Sequence, residues 1–239
     1  MKTIKNKLAY FQDKFITIAM PAYNEALSLP VVVKDADEVL KKITNYYEIL
    51  VVNDGSTDNS KQVLEKLKKT NKHLRVINFS KNQGVGAALF TIYRSVKGDI
   101  LFVNAADGQV TMDQLCVMLP YLKKNDIVIG QRVKRADNLI RRISSILYSV
   151  FLQLVFGVQI KDIDSMMMIK VSALKNLKIN SKTAFIQAEI IIKATEKKLK
   201  IMEVPIVHYP RKQGKAKGFT LKIVIPQLID LFRALLKKI

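Results

Sequence analysis

Phe15-Ile-Thr-Ile-Ala-Met20, followed at once by Pro21-Ala-Tyr-Asn-Glu25, decides the fold class. The first six residues form a nearly continuous apolar run, too short for a helix of ordinary length. Such a run suits a strand buried on both faces, as in a parallel sheet covered by helices. The residues after it switch abruptly to turn formers and polar groups. The same signature recurs at Ile49-Leu-Val-Val52, Leu74-Arg-Val-Ile-Asn-Phe79, Asp99-Ile-Leu-Phe-Val103 and Asp126-Ile-Val-Ile-Gly130. Between these runs, residues 27–43, 56–69, 84–96 and 111–124 carry helical periodicity. Strand and helix alternating in this way predict an α/β fold with a mostly parallel sheet and helices on both faces. Ser56-Thr-Asp58 and Thr111-Met-Asp113 offer capping oxygens for two of the helices.

A parallel sheet of this kind binds ligands beyond the carboxyl ends of its strands. The segments there are Pro21-Ala-Tyr-Asn-Glu25, Asn53-Asp-Gly-Ser-Thr-Asp58, Ser80-Lys-Asn-Gln-Gly84 and Asn104-Ala-Ala-Asp-Gly-Gln109. All four are polar. A dinucleotide-binding domain would place G-x-G-x-x-G after the first strand. Pro-Ala-Tyr-Asn-Glu stands there instead, which argues against NAD and FAD.

With 239 residues, 49% of them hydrophobic, the chain can bury one substantial core. Forty Lys and Arg face 20 Asp and Glu, a formal net charge of +20. Residues 193–239 hold 12 basic and 3 acidic side chains. Such a surface seeks phosphate, in a nucleotide, a lipid headgroup or a nucleic acid, or it reflects a general Lys bias. Nucleic acid is the weaker fit, because Trp is absent, aromatics make up only 8%, and no recognition motif is present. A lone Cys116 excludes an internal disulfide framework. The first 15 residues lack the apolar core of a secretion signal.

The second half reads differently. Residues 143–156 carry no charge, and Ser145, Ser149 and Gln153 recur every four residues as one polar stripe of a helix. Met166-Met-Met168 reads as core or interface packing. Residues 219–239 form a basic amphipathic helix appended to a catalytic unit spanning 1–218. Leu221, Val224, Leu228, Phe232, Leu235 and Ile239 share one face; Lys222, Asp230, Arg233 and Lys237 lie largely opposite, and Pro226 starts or kinks it. Two partners fit this helix: a membrane interface, or the protein's own domain or a second copy.

In this order the motifs resemble family-2 glycosyltransferases of the GT-A (Rossmann-like nucleotide-diphospho-sugar transferase) fold. They are Pro21-Ala-Tyr-Asn-Glu25, Val51-Val-Asn-Asp-Gly-Ser-Thr-Asp58, Asn82-Gln-Gly-Val-Gly-Ala-Ala88 and Ala106-Asp-Gly-Gln109. Asp162-Ile-Asp-Ser165, Phe185-Ile-Gln-Ala-Glu189, Glu203-Val-Pro-Ile206 and Arg211-Lys-Gln-Gly-Lys-Ala-Lys217 resemble the dolichol-phosphate mannosyltransferase, or polyprenyl-phosphate glycosyltransferase, branch. The resemblance runs from about Phe15 to Lys217.

The resemblance implies that Pro21, Ala22, Tyr23, Glu25, Asp54 and Ala106 hold the nucleotide. It implies that Asp107 and Gln109 bind Mg²⁺ or Mn²⁺, and that Asp107, Arg132, Glu189, Arg211 and Lys217 serve the transfer itself. Three positions depart from the pattern: Ala105 stands where a first metal-binding Asp is usual, Asn53 where an Asp often precedes Asp54, and Ala216 where Ser is frequent. A methyl group cannot ligate a cation, and Asn104 should point to the other face of the strand.

The implied reaction is an inverting transfer of sugar from a nucleotide-diphospho-sugar to a polyprenyl phosphate. It would take place on the cytoplasmic face of a membrane, with the chain attached peripherally to an anionic surface or to a membrane partner protein. A lipid phosphate is already an anion and needs little general-base help. A hydroxyl acceptor would need a carboxylate such as Glu189, Asp162 or Asp164. Two alternatives stay open: a polysaccharide or other hydroxyl acceptor, and a degenerate homologue that binds nucleotide-sugar with little activity.

Overall fold

A computed structural model describes residues 8–133, 139–210 and 221–236. Among these residues, seven strands form one sheet in the order β3-β2-β1-β4-β6-β5-β7. They are β1 (Ile16–Ala22), β2 (Tyr47–Asn53), β3 (Leu74–Asn78), β4 (Ile100–Val103), β5 (Ile127–Arg132), β6 (Met167–Lys170) and β7 (Ile201–Ile206). The first four strands are parallel, β1 pairing with both β2 and β4. β6 runs antiparallel between β4 and β5, and β7 closes the far edge parallel to β5. The sheet is therefore mostly parallel, as the sequence predicts, with one reversed strand and an added edge. The Met166-Met-Met168 segment supplies core packing: Met168 is fully buried opposite Phe102 and Val128.

Side chains alternate between two cores, one on each face of the sheet. Ile18, Met20, Ile49, Val51, Phe102, Val128 and Met168 enter one core. Ala19, Leu50, Val52, Leu101, Val103, Ile129 and Met167 enter the other. Helices α1 (Leu29–Lys41), α2 (Ser60–Thr70) and α4 (Gln114–Met118) cover the first face. Helices α3 (Val85–Ser95), α7 (Ile186–Glu196), α5 (Leu139–Phe156) and α8 (Leu221–Leu236) contribute to the second. A short helix, α6 (Val171–Lys175), follows β6.

The helix starts differ from the capping expectation. α2 begins at Ser60 rather than Ser56, because Ser56 donates its hydroxyl to Asn53 Oδ1 at 2.6 Å and accepts the Asn24 N–H. Asp58 Oδ1 accepts the Ser60 N–H instead. Asp113 stands at the N-cap of α4 without a side-chain cap. That helix stops after five residues and passes into a 3₁₀ turn, Leu119–Lys123, where Pro120 removes a backbone donor.

Strand order reverses between β1 and β4, with β2 and β3 on one side and β6, β5 and β7 on the other. Such a switch point opens a crevice at the carboxyl ends of the neighbouring strands.

Candidate functional site at the carboxyl ends of the strands

A cleft of about 590 Å³ lies at that switch point. Its walls include Pro21, Ala22, Tyr23, Glu25, Asp54, Ala106, Asp107, Gln109 and Arg132. Every described residue that the resemblance assigns to nucleotide, metal or catalysis is in that set except Glu189. Arg211 and Lys217 lie outside the described residues.

One wall of the cleft is built by two loops fastened to each other. Asn24 takes a left-handed φ of 54°, a conformation Asn tolerates better than most residues. Its Oδ1 then accepts the Thr57 N–H at 2.7 Å and the Asp58 N–H at 3.3 Å. Its own N–H donates to Ser56 Oγ, and the Glu25 N–H donates to Ser60 Oγ. Asn53, the departure before Asp54, is structural in its contacts: it donates to Asn78 and accepts from Ser56.

Asp54 is almost fully buried and accepts three hydrogen bonds: Gln83 N–H at 2.7 Å, Gly84 N–H at 2.9 Å and Asn82 Nδ2 at 3.1 Å. Those partners form the turn into α3. Burial pushes the Asp54 carboxyl above its ordinary value, opposed by the Gln83 and Gly84 amides. Gly55 must be glycine on two counts: its φ is 61°, and an added Cβ would meet the backbone of Lys81 and Asn82.

The Asn104–Gln109 turn follows β4. Asp107 Oδ1 accepts the Gln109 N–H at 3.0 Å. Tyr209 N–H donates to the Gln109 carbonyl, and Gln109 Nε2 donates back to the Tyr209 carbonyl. This exchange pins the segment after β7 against the metal-motif turn and brings buried His208 into the cleft wall. Asn104 is buried and lines the cleft floor, its Nδ2 donating to the Val110 carbonyl and its Oδ1 accepting the Ala105 N–H. Ala105 is exposed and offers no ligand. On this turn the side chains that could hold a divalent cation are one carboxylate, Asp107, and one amide, Gln109. No cluster of three or more His, Cys, Asp or Glu side chains suited to a metal occurs among the described residues. A hard cation that takes most of its ligands from substrate phosphate and water still fits such a set.

Arg132 ends β5 with its guanidinium in a two-point ion pair. Nη2 lies 2.6 Å from Asp162 Oδ1 and Nε 2.8 Å from Oδ2, and the Arg132 N–H also donates to Oδ2. Both side chains are buried. Glu203 on β7 accepts the N–H groups of Lys161 and Asp162 and so holds that turn in place. Asp162 thus orients an arginine, while Asp164 lines the cleft itself.

Glu189 faces elsewhere. It accepts the N–H groups of Asn180 and Ser181, pairs with Lys193 at 2.6 Å, and lines a second cavity of about 580 Å³. From the same motif it is Gln187 that lines the cleft, donating to the Ser165 carbonyl. Two residues along a helix turn by about 200°, so the two side chains occupy opposite sides. Asn82, Ser165, Gln187 and Gln227 are cleft residues that sequence reasoning did not single out. The first three lie inside quoted motifs, and position within the motif was the available signal. The Ser165 hydroxyl is buried and makes no hydrogen bond to a described residue.

Residues 17–179 match the family described as Glycosyl transferase family 2. The chain belongs to that family. Curated relatives of this family-2 chain include the undecaprenyl-phosphate 4-deoxy-4-formamido-L-arabinose transferases of Pectobacterium atrosepticum and Photorhabdus laumondii. The first is 27% identical over 217 residues, covering 88% of this chain and 64% of the relative. The second is 25% identical over 223 residues, covering 91% and 67%. The chain therefore spans about two thirds of the length of these relatives. Among solved structures, glucosyl-3-phosphoglycerate synthase of Mycobacterium tuberculosis superposes with a TM-score of 0.71 at 14% identity, covering 95% of this chain and 82% of that one. That structure holds Mn²⁺, UDP-glucose and phosphoglyceric acid. Another structure of the same enzyme, with phosphoglyceric acid, gives 0.70 at 16% identity, covering 89% and 77%. At this identity the likeness establishes the GT-A fold.

Proposed function

We propose that the chain transfers a sugar, with inversion, from a nucleotide-diphospho-sugar to a polyprenyl phosphate at the cytoplasmic face of a membrane. The observation that carries this reading is the gathering of the loops after β1, β2 and β4 with Arg132 around one crevice at the switch point. Pro21, Ala22, Tyr23, Glu25, Asp54 and Ala106 bind the nucleotide along the fastened loops. Asp107 and Gln109 would hold Mg²⁺ or Mn²⁺, which when bound supplies charge neutralisation on the diphosphate. Arg132, held at the cleft wall by Asp162, would donate its remaining guanidinium N–H groups where the leaving diphosphate develops negative charge. Arg211 and Lys217 are assigned the same kind of role by the resemblance alone.

The acceptor follows from the relatives' printed activity and from the carboxylates of the cleft. Glu189 is outside it, and Asp162 has both oxygens on Arg132. An anionic phosphate acceptor attacks without a strong general base. A hydroxyl acceptor would need one, and Asp164 is the cleft carboxylate placed for that alternative.

The test is transfer of labelled sugar from UDP- and GDP-sugars, with Mn²⁺, to a short-chain water-soluble prenyl phosphate. Lipid-linked product supports the reading. Product formed only on a hydroxyl acceptor, and lost in Asp164→Asn, moves the reading to the alternative. Donor binding without any product marks a degenerate homologue.

A further inference from the structure

Ser165 and Tyr148 carry buried hydroxyls that make no hydrogen bond of good geometry to a described residue. Ser165 is 4% exposed and lines the cleft. Tyr148 lies against Gln227 and Asp164, which line the cleft with Ser165. Burial, with the Asp164 carboxylate adding to it, pushes the Tyr148 hydroxyl up, so it stays protonated. A buried hydroxyl without a partner costs free energy in the ligand-free protein. Two of them around one corner of a cleft point to a ligand that completes the corner.

Three elements build that corner. Helix α5 turns its polar stripe inward: Ser149, next to Tyr148, is buried, and Gln153 donates to the Ile160 carbonyl. Helix α8 is fastened one turn beyond Gln227. There Asp230 accepts hydrogen bonds from Ser181 at 2.7 Å and Thr183 at 3.0 Å, and Leu231 enters the same core as Leu152 and Phe156. Asp164 and Ser165 belong to the turn that starts at Asp162, where the Ser165 N–H donates to the Asp162 carbonyl at 3.3 Å.

The same turn grips Arg132 through Asp162, so the corner adjoins the guanidinium assigned to the leaving diphosphate. Two groups come close to that diphosphate during transfer: the sugar bonded to it and the phosphate of the acceptor. Charge separates them. The charged side chain against Tyr148 is a carboxylate, Asp164, which repels a phosphate. A hydroxyl, an amide and a carboxylate together match the hydroxyls of a sugar, each of which both donates and accepts. A sugar that carries its own carboxylate would meet Asp164 as a like charge.

We propose that Asp164, Ser165 and Gln227 form the pocket that selects the donor's sugar, and that it takes a neutral sugar through its hydroxyls and rejects a uronate. Tyr148 is a positioning residue behind Gln227 and Asp164. The inference rests on the nucleotide-sugar reading and deepens it by naming the class of sugar and by giving helix α8 a part in the site.

The test is titration of the full chain, in Mn²⁺, with UDP, UDP-glucose and UDP-glucuronate and with GDP, GDP-mannose and GDP-mannuronate. Wild type is expected to bind the uronate about tenfold or more weakly than the matching neutral sugar nucleotide. Ser165→Ala and Gln227→Met should each weaken the neutral sugar nucleotide about fivefold and leave the nucleoside diphosphate within about twofold. A disturbed fold would weaken both. Tyr148→Phe should act in the same direction as Gln227→Met, again without moving the nucleoside diphosphate. Asp164→Asn should narrow the gap between uronate and neutral sugar to about threefold or less. A uronate bound as tightly as the neutral sugar by wild type overturns the proposal. So do variants in which sugar nucleotide and nucleoside diphosphate change alike or not at all. A loss seen only with a short-chain soluble prenyl phosphate also overturns it and assigns the corner to the acceptor. A wild type that binds none of the six nucleotides removes the donor reading itself, and this inference with it.

Discussion

Asp162 holds Arg132 by two parallel hydrogen bonds, Nη2 to Oδ1 at 2.6 Å and Nε to Oδ2 at 2.8 Å, with both side chains buried. Removing one partner of such a pair leaves an uncompensated buried charge, which costs about 3–5 kcal/mol. Asp162→Asn should therefore lower the unfolding free energy by that order, measured by denaturant titration. Asp162→Leu combined with Arg132→Met should recover much of the stability and none of the transfer rate. Recovery of both would remove Arg132 from the reaction.

Glu189 allows a sharp distinction between positioning and catalysis. Glu189→Gln keeps one acceptor for the Asn180 and Ser181 amides but loses the pairing with Lys193. A stability loss of about 1–3 kcal/mol is expected. The kcat should fall less than tenfold, whereas loss of a general base typically costs about 10²–10⁴-fold. Thermal melts and initial rates on the same sample separate the two.

The Ser165 hydroxyl is buried in the cleft wall without a partner among the described residues. An unsatisfied buried donor is a cost in the free protein, about 1–3 kcal/mol. Ser165→Ala should leave the ligand-free melting temperature unchanged or higher. It should weaken donor or acceptor binding, seen as a raised KM. A normal KM would mean that neither substrate uses the hydroxyl.

Asp54 gives a pH dependence of defined sign. Its carboxyl titrates above the ordinary value in the folded state because of burial. The folded state therefore binds the proton more tightly than the unfolded one. The stability this contributes is present below the ordinary carboxylate range and is lost as pH rises through the raised value. Wild-type stability should fall relative to Asp54→Asn across that window, and nucleotide binding should be weaker in the variant throughout. Parallel pH profiles would contradict the assignment.

The first four strands and their loops were legible because each strand is a continuous apolar run followed by turn formers. β6 was not: four residues, Met167–Lys170, in a reversed strand give too short a pattern to set against a helix or a packing cluster. Glu189 was named for its carboxylate; in the fold Gln187 of the same motif lines the cleft, and Glu189 lines the second cavity. The periodicity of α5 showed that it has a polar stripe at Ser149 and Gln153 but not which way the stripe faces, since a stripe can bond inward as readily as it can meet water. Likewise Asp230, read as lying largely opposite the apolar face, is satisfied by Ser181 and Thr183.

In the proposed function Asp107, with Gln109, links the donor's diphosphate to the protein through a cation although Ala105 contributes nothing. It is tested most directly by thermal shift with a nucleotide diphosphate, with and without Mn²⁺, in wild type, Asp107→Ala and Ala105→Asp. Ligand at about a hundredfold above Kd stabilises by about 2.7 kcal/mol, which for a chain of this size is roughly 5–10 °C. Wild type should show a Mn²⁺-dependent shift, Asp107→Ala should lose it, and Ala105→Asp should reach it at lower Mn²⁺. Identical Mn²⁺ titrations in all three proteins would contradict it.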